Sequence, residues 1–314
     1  MDLSKHYEIC REQNLPFVNK IYVPLQKKIA EKQLPYYHEL VDFVNQYGYI
    51  TDRQFYYHLV EQPTGSSLRL DVSTRKKANA AYAKVINLTV RCRKNGIIPL
   101  DSILDDTDLI GTQQYNYSIE NFLIDKADHY RSDWFENQQY YIECWLEKRA
   151  LSRIFSSITD TYGVYLSVSG RYPSLAQVKS AIDRFQYYSK PKVILYFGDL
   201  DPTGKDMPRY LRDTFPLLQC NGVNVVEVTV NVSDVSAYNL PIIPLKSTDT
   251  RIGRYQKTYQ VNYGVEIDAL EPAVLRQKIS KAIENYLDLS ELKIKKKEDK
   301  TTVDEIKKKL NQQV

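Results

Sequence analysis

The sequence predicts an α/β protein in two parts: a helical N-terminal part, then a mostly parallel sheet with helices on its faces. Three observations carry that prediction. Between residues 34 and 95 the apolar side chains recur at helical spacing. From Gln139 onward, short apolar runs alternate with amphipathic segments, the pattern of βαβ units. One of those runs, Lys192 to Phe197, ends in Gly198, Asp199, Leu200 and Asp201, so a strand end carries two carboxylates.

Composition sets the outer limits. A chain of 314 residues is long enough for two domains and a sizeable core. No apolar run approaches the length of a membrane span, and the start, MDLSKHYEIC, has neither the basic region nor the apolar core of a signal peptide. The expectation is a cytoplasmic protein with no membrane partner. Cys10, Cys92, Cys144 and Cys220 are scattered without CxxC spacing, which argues against a disulfide framework or zinc knuckle, and they read as small buried hydrophobes.

Charge is unevenly distributed. The formal net charge is +4, and residues 293 to 314 account for all of it with eight lysines against four acids. In the body, Arg69 to Lys94 holds eight basic residues against the single Asp71, whereas Asp101 to Asp125 is acidic. A basic stripe on a neutral body suggests a polyanion site, although a solvated helix face gives the same pattern.

The elements follow in order. Residues 1–33 have helical-looking apolar spacing. Leu40, Val41, Val44 and Tyr47 predict a helix stopped by Gly48. Thr51 and Gln54 form a capping box, so TDRQFYYHLV is expected to be helical from Asp52. A turn-rich interval (Gln62 to Ser66) precedes a long helix from about Thr74 to Asn95. Its apolar side is Ala78, Ala81, Tyr82, Val85, Leu88 and Cys92, and Lys77, Lys84 and Arg91 recur every seven residues on its flank, with Arg93 and Lys94 at its end. Two short helices, a wing-like interval and a basic helix predict a winged helix-turn-helix domain over 34–130 that contacts double-stranded DNA. Strands over QYYIECWL, VYLSV, KVILYF and NVVEVTV, with helices between them, predict a Rossmann-like domain over 138–240. Residues 241–314 are expected to be a C-terminal extension with a helix from Ala273 to Leu287 and a Lys-rich tail.

The site follows from the strand ends. In an extended chain residues i and i+2 point the same way, so Asp199 and Asp201 would aim at one point beyond the strand. In open α/β sheets ligands bind at that edge. Paired carboxylates with few other ligands suit Mg²⁺, with Mn²⁺ as the alternative ion. Glu147 ends the first strand, and a parallel neighbour would bring it beside the two aspartates as the third ligand.

This order of motifs resembles the TOPRIM domain of topoisomerases, primases and related nucleases, on Glu147 in WLEKRAL and the aspartates in YFGDLDPTG. GRYPSL, Gly170 to Leu175, looks like the glycine-tyrosine-proline turn of topoisomerase VI A subunits. Thr51 to Tyr57, TDRQFYY, is similar to the segment that carries the nucleophilic tyrosine in those subunits and in the related meiotic double-strand-break transesterases. The resemblance covers roughly residues 35 to 240 and implies a winged helix followed by TOPRIM, working as a homodimer. It implies Tyr57 as nucleophile beside Tyr56, with Arg53 as accompanying arginine and each tyrosine working beside the partner's acidic cluster. RQFYY, KNGIIP and GVEIDALEP look more like the stand-alone winged-helix and TOPRIM proteins of bacteria, phages and mobile elements. An ATPase partner belongs to topoisomerase VI, but the N-terminal part here is short compared with the segment that docks it.

The chemistry is consistent with that assignment. A phenol with a pKa near 10 is a poor nucleophile at neutral pH. Arg53, at i and i+4 from Tyr57 on one helix face, would favour phenolate and hold the scissile phosphate, while Phe55 and Leu59 on the other face would be core. His58 turns away from Tyr57 by about 100° and is no base candidate.

The first expectation is therefore a Mg²⁺-dependent, type IIB-like DNA topoisomerase or transesterase, nucleoid-associated, that leaves a 5′-phosphotyrosyl link. The second is a TOPRIM endonuclease using metal-activated water, as in Wadjet-type defence subunits and overcoming-lysogenization-defect nucleases. The third is a non-catalytic DNA-binding protein with a structural acidic cluster. Outlying candidates are Arg171 and Lys205 in turns, read either as phosphate contacts or as solvated surface cations, and Glu266 with Asp268, read either as a further metal contact or as an exposed strand edge.

Overall fold

The computed structural model describes residues 3–17, 21–104, 119–170 and 172–312. In the N-terminal part, α1 (Ser4–Glu12), α2 (Leu34–Tyr47), β1 (Ile50–Thr51), α3 (Asp52–Val60), α4 (Arg75–Lys94), β2 (Ile103–Leu104) and α5 (Ile119–Asp128) follow one another. Local chemistry accounts for the boundaries. α2 stops at Gly48, whose φ of 74° is open to glycine at no steric cost. α3 starts in a complete capping box: the Thr51 hydroxyl accepts from the Gln54 N–H, and the Gln54 amide oxygen accepts from the Thr51 N–H. Thr74 caps α4 in the same way, accepting from the Lys77 N–H.

Four parallel strands form the sheet: β3 (Tyr141–Leu146), β4 (Tyr165–Val168), β5 (Lys192–Phe197) and β6 (Val223–Thr229), in the order β4-β3-β5-β6. The crossovers are α6 (Ser152–Tyr162), α7 (Leu175–Phe185) and α8 (Pro202–Leu217). Every residue of β3 is buried, as expected for a central strand of a parallel sheet covered on both faces. Register pairs Leu146 with Val168 on one side and with Phe197 on the other, so β3 and β5 end level. Because β3 leads to β4 on one side and β5 to β6 on the other, the strand order reverses between β3 and β5, which places a crevice at their carboxyl ends.

The chain continues as α9 (Val232–Ala237), β7 (Ile243–Pro244), α10 (Ile252–Tyr259), β8 (Tyr263–Gly264), α11 (Pro272–Glu284) and α12 (Leu289–Gln312). One hydrophobic core runs through both parts, from Leu40 and Phe55 through Trp145 and Phe197 to Leu275 and Ile283. The architecture is thus mixed α/β with a parallel main sheet.

Two expectations change. Only α1 is helical in the described part of residues 1–33. The interval 61–74 has turns and no strand, and β1 pairs in parallel with β2 over two residues. The extension, helical in α11 and α12 as expected, is joined to the sheet: Leu200 and Val265 exchange both backbone hydrogen bonds at 2.8 and 2.9 Å, and the Asp299 carboxylate of α12 accepts from the Trp134 indole at 2.6 Å. Most of the acidic stretch between Asp101 and Asp125 lies outside the described residues.

Candidate active site

Glu147 leaves the end of β3 and is fixed at both ends. Its N–H donates to the Phe197 carbonyl at 3.0 Å, and its Oε2 accepts from the Tyr196 hydroxyl at 3.2 Å and the Asp199 N–H at 3.3 Å. Two glycines make room for it. A Cβ at Gly198 would sit 2.7 Å from that oxygen, and one at Gly204 would sit 3.0 Å from it and 2.4 Å from the Asp199 carbonyl oxygen. DLDPTG therefore needs its glycine in the first turn of α8, where only hydrogen fits between helix and carboxylate.

Asp199 and Asp201 have separate local duties as well. The Asp199 Oδ1 accepts from the Ile267 N–H at 2.7 Å, while its Oδ2 lies 4.0 Å from Lys148 Nζ. Asp201 is the N-cap of α8, its Oδ1 accepting from the Gly204 N–H at 2.7 Å. Burial raises the pKa of Glu147, and Asp201 raises it further. Burial also raises Asp199, with Glu147 and Glu266 adding to it and Lys148 opposing it. The three carboxylates expected at one point are thus within electrostatic range of one another, and they lie at the sheet's switch point.

A second acidic pair joins them from the C-terminal part. The Lys148 ammonium lies 2.8 Å from Glu266 Oε2 and 2.6 Å from Asp268 Oδ2. Burial pulls the Lys148 pKa down, but Asp268, Asp199 and Glu266 together raise it well above the ordinary lysine value. Asp268 is buried in a short 3-10 turn, Ile267–Ala269, and its Oδ1 accepts from the Thr51 hydroxyl at 2.9 Å. These acids are therefore not an exposed strand edge. Sequence reasoning missed Lys148, whose one signal is its adjacency to Glu147, because its partners lie far along the chain.

The tyrosine segment meets this cluster within one chain. Arg53 Nε lies 3.1 Å from Glu266 Oε2, and its guanidinium stands over the Tyr82 ring at 4.5 Å. Tyr57 is only 4% exposed and Tyr56 6%, and their rings pack edge to face. Both faces of α3 are buried, rather than the Phe55 and Leu59 face alone. Burial raises the Tyr57 pKa and Glu266 raises it further, while Arg53 and Lys148 lower it without cancelling the rise. The phenol is held protonated at neutral pH in this arrangement.

The remaining candidates scatter. Lys205 sits in the first turn of α8 and not in a loop. It is buried, with Nζ 3.0 Å from the Asn231 side-chain oxygen and 3.4 Å from Glu227. Arg171 lies outside the described residues. On α4, Lys77, Lys84, Arg91 and Lys94 are exposed and Arg93 is half-buried, with Lys77 paired to Asp71 at 2.6 Å. His58 pairs with Glu39 at 2.6 Å.

Among the described residues, no group of three or more His, Cys, Asp or Glu side chains is arranged to hold a metal ion. The donor chemistry nonetheless suits Mg²⁺: hard carboxylate oxygens from Glu147, Asp199 and Asp201, with the Glu147 oxygen in a glycine cradle that a Cβ would fill. None of the described helices is long and apolar enough to cross a membrane. No protein-family model matches the chain, and no curated protein sequence matches it.

Proposed function

We propose that the chain is a metal-dependent DNA-cleaving transesterase of the topoisomerase VI A type, a winged helix followed by TOPRIM, acting on double-stranded DNA as a homodimer. The observation that carries this reading is that Arg53 of the tyrosine segment is bonded to Glu266, which shares Lys148 with the acids at the switch point. Nucleophile segment and acidic centre thus belong to one connected network of charges.

In this reading the Tyr57 oxygen attacks a backbone phosphorus, the phosphorus–O3′ bond breaks, and the phenol's proton leaves while the O3′ oxygen gains one. The product is a 5′-phosphotyrosyl link and a free 3′-hydroxyl. Arg53 is the cation for the phosphate oxygens and for the phenolate. Glu147, Asp199 and Asp201 are the residues that would hold Mg²⁺ or Mn²⁺, which when bound supplies positive charge to the leaving oxygen. Tyr57, 4% exposed, must gain access to the DNA for this step.

A second reading, hydrolysis by water with Tyr57 as a packing residue, is favoured by the burial of Tyr57 and its raised pKa. One experiment separates the two. Supercoiled and linear DNA are incubated with Mg²⁺ or Mn²⁺ and with wild type, Tyr57→Phe or Asp199→Ala. A covalent 5′ adduct that disappears in Tyr57→Phe supports transesterification. Cleavage that survives Tyr57→Phe but not Asp199→Ala supports hydrolysis, and binding without cleavage by any variant refutes both.

A further inference from the structure

A groove of about 520 Å³ lies between α2 and α4 on the N-terminal part and shares no lining residue with the acidic centre. Its apolar lining is made by Leu59, Leu70, Val85 and Leu88. Tyr36 forms part of the wall, its ring fixed by a 2.8 Å hydrogen bond from its hydroxyl to the Ser67 carbonyl. The edge carries Lys32, Lys84 and Arg91, all exposed, and no carboxylate occurs among the described residues that line the groove. Arg91 also lies close enough to the buried Tyr37 hydroxyl to oppose the rise that burial gives its pKa.

That combination is specific in chemical terms. An aromatic ring beside an aliphatic lining accepts a flat heteroaromatic group, and cations without competing acids favour the phosphates attached to it. Lys84 and Arg91 are seven residues apart on one helix flank, about 10 Å at 1.5 Å per residue. A stacked strand advances about 3.4 Å per nucleotide, so the two cations span roughly three nucleotides.

We infer that this groove takes a single unstacked base of a DNA strand, seated against Tyr36, with phosphates about three nucleotides apart on the same strand held by Lys84 and Arg91. The inference rests on the reading that the chain acts on DNA. It adds that the N-terminal part recognises a distorted duplex, with a base already out of the stack, in preference to a perfect one.

The test uses the full chain in EDTA, so that no strand is cut. Affinities are measured for a 20-base-pair duplex, for the same duplex carrying one unpaired adenine, and for dAMP as competitor. The expected result is at least about five-fold tighter binding of the duplex with the unpaired base, the lower end of what one stacked base contributes. That preference disappears in Tyr36→Leu and in Asn87→Trp, which blocks the groove, and persists in Tyr36→Phe, while affinity for the perfect duplex stays within two-fold throughout. Equal wild-type affinity for the two duplexes overturns the inference and leaves the DNA reading standing, as does a preference that survives in both Tyr36→Leu and Asn87→Trp. Displacement of the unpaired-base duplex by micromolar dAMP alone makes the groove a free-nucleotide site and overturns its assignment to a strand. Failure of wild type to bind either duplex overturns this inference and the DNA reading together.

Discussion

Arg53 and Glu266 form an ion pair at 3.1 Å that ties α3 to the chain segment lying beside the ends of β3 and β5. Glu266 also holds Lys148, so one carboxylate restrains two cations of the candidate site. Glu266→Gln is expected to lower stability by about 1.5–3 kcal/mol, the range for hydrogen bonds to charged groups. It also removes a charge that raises the Tyr57 pKa, so tyrosinate should form at lower pH. Denaturant unfolding and ultraviolet titration check the two effects, and an unchanged midpoint with an unchanged titration refutes the link.

Gly204→Ala places a methyl group 2.4 Å from the Asp199 carbonyl oxygen, a backbone atom that cannot rotate away. A destabilisation of about 1–3 kcal/mol is expected, together with weaker Mg²⁺ binding by calorimetry. Gly253→Ala in α10 is the control, because a Cβ there meets nothing within 4 Å. It should be neutral or stabilising by up to about 1 kcal/mol, as for any exposed helical glycine. Equal effects of the two substitutions would refute the cradle.

Thr51 performs two tasks, capping α3 and donating to the buried Asp268. Thr51→Ala should cost about 2 kcal/mol or more, combining a lost cap with an unsatisfied buried carboxylate oxygen. Thr51→Ser keeps both hydrogen bonds and should recover most of the loss. Melting temperatures of the three proteins decide it, and a mild Ala variant no worse than Ser would show that Asp268 is satisfied another way.

Burial and neighbouring carboxylates raise both Glu147 and Asp199 above ordinary carboxylate values. The sign follows from proton linkage. Between the unfolded values, near 4, and the raised folded values the native state binds more protons, so stability of the metal-free chain falls as pH rises through that window and levels off above it. Asp199→Asn should flatten the fall, and Mg²⁺ should stabilise wild type most at the alkaline end. Thermal unfolding across pH with EDTA or Mg²⁺ tests both, and a metal-free profile that rises through the same window would sink the prediction.

The elements with strong local signals were legible in the sequence. The Thr51 and Gln54 capping box, the start of α4 near Thr74, the stop at Gly48 and the four strand runs all appear within a residue or two of the expected limits. Glu147 beside the two aspartates was legible too, because parallel strands with level ends leave their following residues side by side. The burial of Tyr57 was not. Helical periodicity separates two faces of α3, but both are covered once the 267–269 turn packs on it.

By itself the sequence determined what short-range physics can set: where helices begin and stop, which runs are buried strands, and that three carboxylates follow two of those strands. Only the tertiary structure decided which cations those carboxylates meet. Lys148, Arg53, Glu266 and Asp268 come together because Val265 pairs with Leu200 and brings a distant segment against the strand ends. No local pattern encodes that contact. Long-range pairing depends on the closure of a loop and on the packing of the whole core, which residue spacing does not record.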